Sequence, residues 1–259
     1  MAIKISVELA HNCPLEEIVQ HAVALESHGY YRVWVPDTIV SPWEAWVAAG
    51  ILVHHTSRIL IGLGVTNPYT RHPVVVAQMA ATMQHLSDGR LALSIGKGIP
   101  RFLEKVGIDQ KPTAVEECIT VLRSLLAGDR TTINGKALQI DGIRLRTAPL
   151  NTAVSLYAAA IGPAGWEAAL RVADGVATIW SDKLGETAKQ AMSERELPVA
   201  ALIPFSLSGD AFPEGWHVIS SPDELQERVS AMDRQGIDEV IVAYRELADL
   251  ETAAGLISV

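Results

Sequence analysis

Residues 58–98, RILIGLGVTNPYTRHPVVVAQMAATMQHLSDGRLALSIGKG, restrict the possible folds more than any other stretch of the chain. Residues 59–63 are a short apolar β run that stops at Gly64-Val65-Thr66-Asn67-Pro68. Pro73 suits the first turn of a helix, where a missing N–H does no harm. Val76, Met79, Met83 and Leu86 then recur at helical spacing and give that helix an apolar face. Ser87-Asp88-Gly89 closes it, and residues 91–95 form a second β run, followed by Gly96-Lys97-Gly98. A strand, a crossover helix and a strand make a parallel pair, and both strands end in small, permissive backbone. Parallel α/β sheets bind ligands at that carboxyl end.

The alternation extends along the chain. Residues 3–9, 31–35, 154–159, 175–179, 199–205 and 239–243 read as further strands. Helices are expected over 14–28, 43–55, 112–127, 162–172, 184–195 and 222–234, with a last one from Glu246. Gly29 stops the first, and Ser221, Pro222, Asp223 and Glu224 start the helix over 222–234 with a capping hydroxyl and acids on the dipole. Residues 131–145 look like a β excursion with a turn at Asn134-Gly135. Strands alternating with helices predict a compact (β/α)8 TIM barrel spanning 1–259 as one domain. An open doubly wound sheet has the same alternation and stays open as the alternative.

The chain's 259 residues, 49% of them hydrophobic, suit one well-buried domain of that size. A net charge of −9 without a basic cluster argues against nucleic acid as a partner. No apolar run approaches the ~18 residues of a membrane span, and the N-terminus lacks a signal-peptide pattern. Cys13 and Cys118 stand in no metal or redox spacing and are read as reduced thiols of a cytoplasmic protein. His54 and His55 have no third ligand in spacing, so no metal site is expected.

In a barrel, chemistry sits on the loops after the strands. Glu8 lies between Val7 and Leu9 and so points the other way. Facing inward it is a proton donor in an apolar setting; equally it is a structural acid paired with a basic residue. Asp37 is a ring-nitrogen acceptor or a local cap. The turn 64–67 is an ordinary βα turn with Pro68 as its stopper, or one flat enough to lie against a planar ring. The stretch 158–164, AAAIGPA, leaves its amides unobstructed where a helix begins, which suits a phosphate or merely allows tight strand–helix packing. The Trp43/Trp46 and Met79/Met83 faces are core or subunit contact, and they make a homodimer believable.

Gly62 to Pro73, GLGVTNPYTRHP, with Leu86-Ser87-Asp88-Gly89-Arg90 and Gly96-Lys97-Gly98, resembles the bacterial-luciferase-like superfamily, nearest to its methylenetetrahydromethanopterin reductases. The likeness continues more loosely through Val33–Asp37, Leu126–Gly128, Ala160–Pro163 and Ala173–Gly175. It implies a cytoplasmic, oligomeric (β/α)8 oxidoreductase using coenzyme F420, or FMN as in other branches, on a small-molecule substrate. By resemblance, Gly64-Val65 is a bulge with a non-prolyl cis peptide against the deazaflavin ring, and Glu8 is the catalytic acid. Asp37, Thr38, Thr66, Asn67, Gly96, Lys97 and Gly98 then bind cofactor, and Ala159, Ala160, Ile161, Gly162, Pro163 and Ala164 seat its phosphate. Thr38 and Ile99 stand where the reductases carry histidine and an acid, departures that bear on pterin chemistry. The chain also lacks the long insertion after strand six that helps cover the site in relatives. Shortened members hold a flavin without turnover, so a non-catalytic flavin- or deazaflavin-binding protein is the alternative function.

Overall fold

The computed structural model describes residues 3–9, 13–191, 196–208, 212, 217–244, 246 and 249. In chain order it runs β1 (Lys4–Glu8), α1 (Leu15–Ser27), β2 (Arg32–Val35), α2 (Ala45–His55), β3 (Leu60–Thr66), α3 (Pro73–Leu86), β4 (Leu91–Ile95), α4 (Pro100–Lys105) and α5 (Ala114–Leu126). It continues with β5 (Thr131–Asn134), β6 (Gln139–Ile143), β7 (Ser155–Ala159), α6 (Pro163–Val172), β8 (Gly175–Ile179), α7 (Leu184–Ala191), β9 (Val199–Pro204), α8 (Pro222–Arg234) and β10 (Glu239–Ala243). Eight strands close into a barrel in the order β1-β10-β9-β8-β7-β4-β3-β2, which excludes the open sheet. β5 and β6 form a separate antiparallel hairpin. The expected helix from Glu246 and the end of the one over 184–195 lie outside the described residues.

Period-two alternation builds the two layers of the core. On β2, Val33 and Val35 join the cluster between barrel and helices, and Trp34 belongs to a smaller cluster with Ala92, Tyr157, Ala177, Ala200 and Ile241. The lumen is therefore a packed interior. Its lower half is polar: Arg32 and Glu239, both 3% exposed, pair at 3.4 Å. Glu239 Oε1 also accepts from Ser6 Oγ at 2.6 Å and Trp34 Nε1 at 2.9 Å. Two aromatic rings fill the rest because their neighbours are glycines. A Cβ on Gly62 would run into the Trp34 ring, and one on Gly175 would lie 2.5 Å from Tyr157 Cε1. Gly62→Ala is expected to destabilise the fold by about 1–3 kcal/mol through overpacking, measured by urea unfolding.

Local chemistry explains the boundaries. α2 starts at Ala45, two residues later than the periodicity predicts, because the Glu44 carboxylate accepts from Val47 N at 2.8 Å and caps it. Trp43 falls before the helix and donates its indole N–H to the Cys13 carbonyl at 3.2 Å. Trp46 and Met83 are buried in the chain's own core. α8 begins as expected, with Ser221 Oγ accepting from Glu224 N. Gly29, at φ +80°, ends α1 in the left-handed region that glycine favours. The hairpin turn is longer than a two-residue one. Gly135 N donates to Leu138 O, and the Glu117 carboxylate accepts from the amides of Lys136, Ala137 and Leu138.

The Ser87–Arg90 motif is a staple. The Arg90 guanidinium donates to the carbonyls of Val53, Thr56, Ile59 and Ser87, tying α2, α3 and the start of β3 together. Arg90→Met is expected to cost about 1–3 kcal/mol through the acceptors it leaves unpaired, read as a lowered unfolding midpoint. Glu26 braces the same corner, accepting from the amides of Ser57, Arg58 and Ile59. Burial alone would raise its pKa, but these donors outweigh burial and bring it from 4.5 to about 2. A depressed acid stabilises fully above its unfolded value, and that contribution fades as pH falls from about 4.5 to about 2. Glu26→Gln is expected to flatten the acid limb of the stability profile in that window.

Candidate active site

The carboxyl ends of β3, β4 and β7 meet at the barrel mouth through backbone and small side chains. A Cβ on Gly64 would lie 2.6 Å from Ser94 Cβ, and one on Gly96 would strike Val65 Cγ1 and come within 2.9 Å of Ala159 Cβ. The ends of β3 and β7 are therefore brought together across Gly96. The Gly64–Val65 peptide is cis, as the resemblance implied. The β3–β4 register shifts between Leu63 and Thr66, and Gly96 N donates to Thr66 O at 2.8 Å.

That shift sorts the side chains. Val65 is 40% exposed at the mouth, whereas Thr66 pairs with outward-facing Ile95 and is 1% exposed. Thr66 thus offers the mouth its backbone. Asn67 is buried and shapes the turn, its Oδ1 accepting from Tyr69 N and Thr70 N at 3.0 Å. Gly98, at φ +71°, packs on Leu103 and Asn67. Lys97 is exposed. Ser94 Oγ, on the lumen side of β4, is buried with no hydrogen-bond partner. Trp34 lies beneath Gly62 and Gly64 and floors the recess.

Glu8 shares its strand face with Ser6, whose hydroxyl reaches Glu239 inside the barrel. Its carboxyl therefore belongs to the lumen side, in register with Trp34 and Ala243 at the upper rim. The glutamate is half-buried, and residues 10–12 that follow lie outside the described ones. Asp37 is 7% exposed and is engaged by Arg71 Nη1 at 2.7 Å, while Arg71 Nη2 meets Glu44. Thr38 shares a hydroxyl contact with Ser41 at 2.9 Å. Ala160 is buried, its amide donating to Ala177 O, and Ile161, Gly162, Pro163 and Ala164 are exposed at the start of α6. Gly165 N and Trp166 N close back on Gly162 O, and a Cβ on Gly162 would meet nothing within 4 Å.

Sequence reasoning missed the segment held against the loops after β3 and β4. After β4 the chain makes α4 and returns along residues 106–113, pinned where it passes. Gln110 Nε2 donates to the Gly98 carbonyl at 3.2 Å and also to that of Lys97. Tyr69 OH donates to Lys111 O and accepts from Lys111 N. Pro100 ahead of Phe102 and Leu103 was the available signal. Arg71, the partner of Asp37, was missed too. Between β8 and β9 the described residues hold only α7, in keeping with the short connection expected there. Among the described residues no His/Cys/Asp/Glu group could hold a metal ion. No described helix is long and apolar enough to cross a membrane.

The family model described as luciferase-like monooxygenase matches residues 2–201. The chain belongs to the luciferase-like monooxygenase family. That match includes each mouth residue named above. The 5,10-methylenetetrahydromethanopterin reductase of Methanolobus tindarius is 29% identical over 86% of this chain and 73% of its own length. The F420-dependent hydroxymycolic acid dehydrogenase of Mycobacterium tuberculosis is 31% identical over 62% of this chain, which spans about half, 48%, of that protein. Among solved structures, an F420-dependent secondary alcohol dehydrogenase in complex with an F420-acetone adduct superposes with a TM-score of 0.83. It covers 100% of this chain and 98% of its own at 19% identity, a likeness of fold. This luciferase-like barrel therefore has a mouth walled by backbone at Gly64-Val65, Gly96 and Ala159, with Trp34 as its floor and Glu8 on its rim.

Proposed function

We propose that this chain is an F420-dependent oxidoreductase that moves a hydride between reduced deazaflavin and a small organic substrate, working as one barrel over 1–259 in a cytoplasmic homodimer. The observation that carries the reading is the contact of Val65 and Ala159 across Gly96, which sets Gly64-Val65, Gly96 and Ala159 side by side at the mouth. The F420-dependent relatives support the choice of cofactor. The residues present suit such a group. Gly64 and Gly96 give a planar ring two wall positions with no side chain of their own, Ser94 Oγ is a buried polar atom lacking a partner, and the turn at Gly162 is open enough for a bulky anionic tail.

When bound, reduced deazaflavin would supply a hydride, one hydrogen carrying two electrons, to the substrate carbon. The chain's own residues position and protonate. Glu8 gives a proton to the substrate atom beside that carbon, so the product gains one hydride and one proton, and takes it back in reverse. Lys97 and the open start of α6 hold the anionic tail. Asp37 and Arg71 fix the turn after β2 against the one after β3. The segment 99–113, latched by Gln110 and Tyr69, limits water on that side of the mouth.

The test is the chromophore that the chain carries from a host making F420. Deazaflavin, identified by mass and visible spectrum, is expected. FMN alone would move the chain to the flavin-using branch, and neither ligand, with neither bound on titration, would overturn the reading.

A further inference from the structure

Trp34 joins the two ends of the barrel lumen. Its backbone is in register with Glu8 and Gly62, on the side of the mouth. Its indole N–H donates at 2.9 Å to Oε1 of Glu239, which is in register with Lys4 at the far end of β1. The six-membered edge of the same ring lies against β3. A Cβ on Gly64 would come 3.2 Å from Trp34 Cζ3, and one on Gly62 would strike Cε3. One rigid plane thus runs from a carboxylate at the floor to the first residue of the Gly64-Val65 wall. The carboxylate is its fixed end: Glu239 is 2% exposed, accepts from Ser6 Oγ at 2.6 Å and faces Arg32 Nη1 at 3.4 Å. Tyr157 stands edge-to-face to the indole, with ring centroids 5.8 Å apart. The chemistry proposed at the mouth uses neither Glu239 nor Arg32.

Tryptophan χ2 has two broad settings. Turned over, the ring would carry its N–H away from Glu239 and its six-membered edge away from Gly64, leaving a buried donor unpaired. A hydrogen bond to a carboxylate is among the stronger kinds, so it selects the setting that supports β3.

We infer that Glu239 is a positioning residue for the mouth: through the indole of Trp34 it sets where the Gly64-Val65 wall stands. That this wall receives the cofactor rests on the proposed function; the coupling of floor to wall rests on the hydrogen bond and the ring contacts alone.

Two paired variants test it. Arg32→Met with Glu239→Gln and Arg32→Met with Glu239→Met both remove the ion pair, so neither leaves an uncompensated buried charge. Only the glutamine form keeps an oxygen that can accept from Trp34 Nε1. Proton–nitrogen NMR spectra are recorded on the chain without cofactor. The Trp34 indole proton is expected to exchange slowly with solvent in the wild-type and glutamine forms, and at least about tenfold faster in the methionine form. The Gly64 and Val65 amide signals are expected to keep their places in the glutamine form and to shift in the methionine form. Trp34→Phe keeps the ion pair and loses the donor; it assigns the indole signal and is expected to move the same amides. F420 affinity, titrated on the same proteins, is expected to stay within about threefold of wild type in the glutamine form and to fall about tenfold in the methionine form. Gly64 and Val65 signals that stay in place in the methionine form and in Trp34→Phe would overturn the inference. So would equal F420 affinity of the paired variants where the wild type binds it. A wild-type chain that binds no F420 overturns the proposed function alone, because the amide signals still report the coupling.

Discussion

Glu8→Gln is expected to lower kcat for hydride transfer by about 10²–10⁴-fold, the range that a positioned proton donor supplies, with F420 affinity unchanged. The substitution keeps the shape and hydrogen-bonding reach of the side chain and removes the ionisable carboxyl that can pass a proton. Glu8 stands on the inner face of β1, in register with Trp34 and Ala243, at the level where the lumen opens into the mouth. Ser6, on the same face of β1, is tied to Glu239 at the barrel floor. Loss of the carboxyl should therefore leave the barrel floor in place. Single-turnover bleaching of reduced F420 isolates the chemical step. Exogenous acetate is expected to restore part of the rate in Glu8→Ala, as a free acid takes the vacated place. An unchanged kcat in Glu8→Gln would leave this residue with a structural role alone.

Gly96→Ala carries the second large effect. Its new methyl group would strike Val65 Cγ1 and press on Ala159 Cβ at 2.9 Å, and neither neighbour can swing away as the tip of a long side chain would. Overpacking of this kind costs about 1–3 kcal/mol, and here it falls on the two walls of the recess. F420 affinity is expected to drop by about 10- to 100-fold, with far-UV circular dichroism unchanged. Val65→Ala in the same chain removes the worse of the two collisions and is expected to recover part of the affinity. The excess over additivity in the double-mutant cycle then measures how far Gly96 and Val65 act together.

The sequence displayed the barrel well because each strand carries a strong local signal. Runs such as Leu91–Ile95 and Glu239–Ala243 are fully buried, so they read as largely apolar stretches between turn residues, with Ser94 and Glu239 as their polar members. The start of α2 was shifted because Glu44 caps through its side chain, a contact that apolar periodicity does not report. The lumen was harder to read. Arg32, Glu239 and Ser6 look like ordinary polar positions in a strand, and only closure of the ring brings β1, β2 and β10 close enough to pair them. The mouth was half legible. The glycines at 64 and 96 are visible as small residues, but their contact through Val65 and Ala159 depends on three strands meeting side by side. Gln110 and Tyr69 have no signature at all until the 99–113 segment folds back over the loops they hold.

A crystal structure of the chain with oxidised F420 measures the central claim most directly. The tricyclic ring is expected against the Gly64-Val65 and Gly96 backbone above Trp34, with the tail leaving past Lys97 toward Gly162. A ring bound away from Gly64-Val65 and Gly96, or a tail leaving on the side of Asp37, would contradict it.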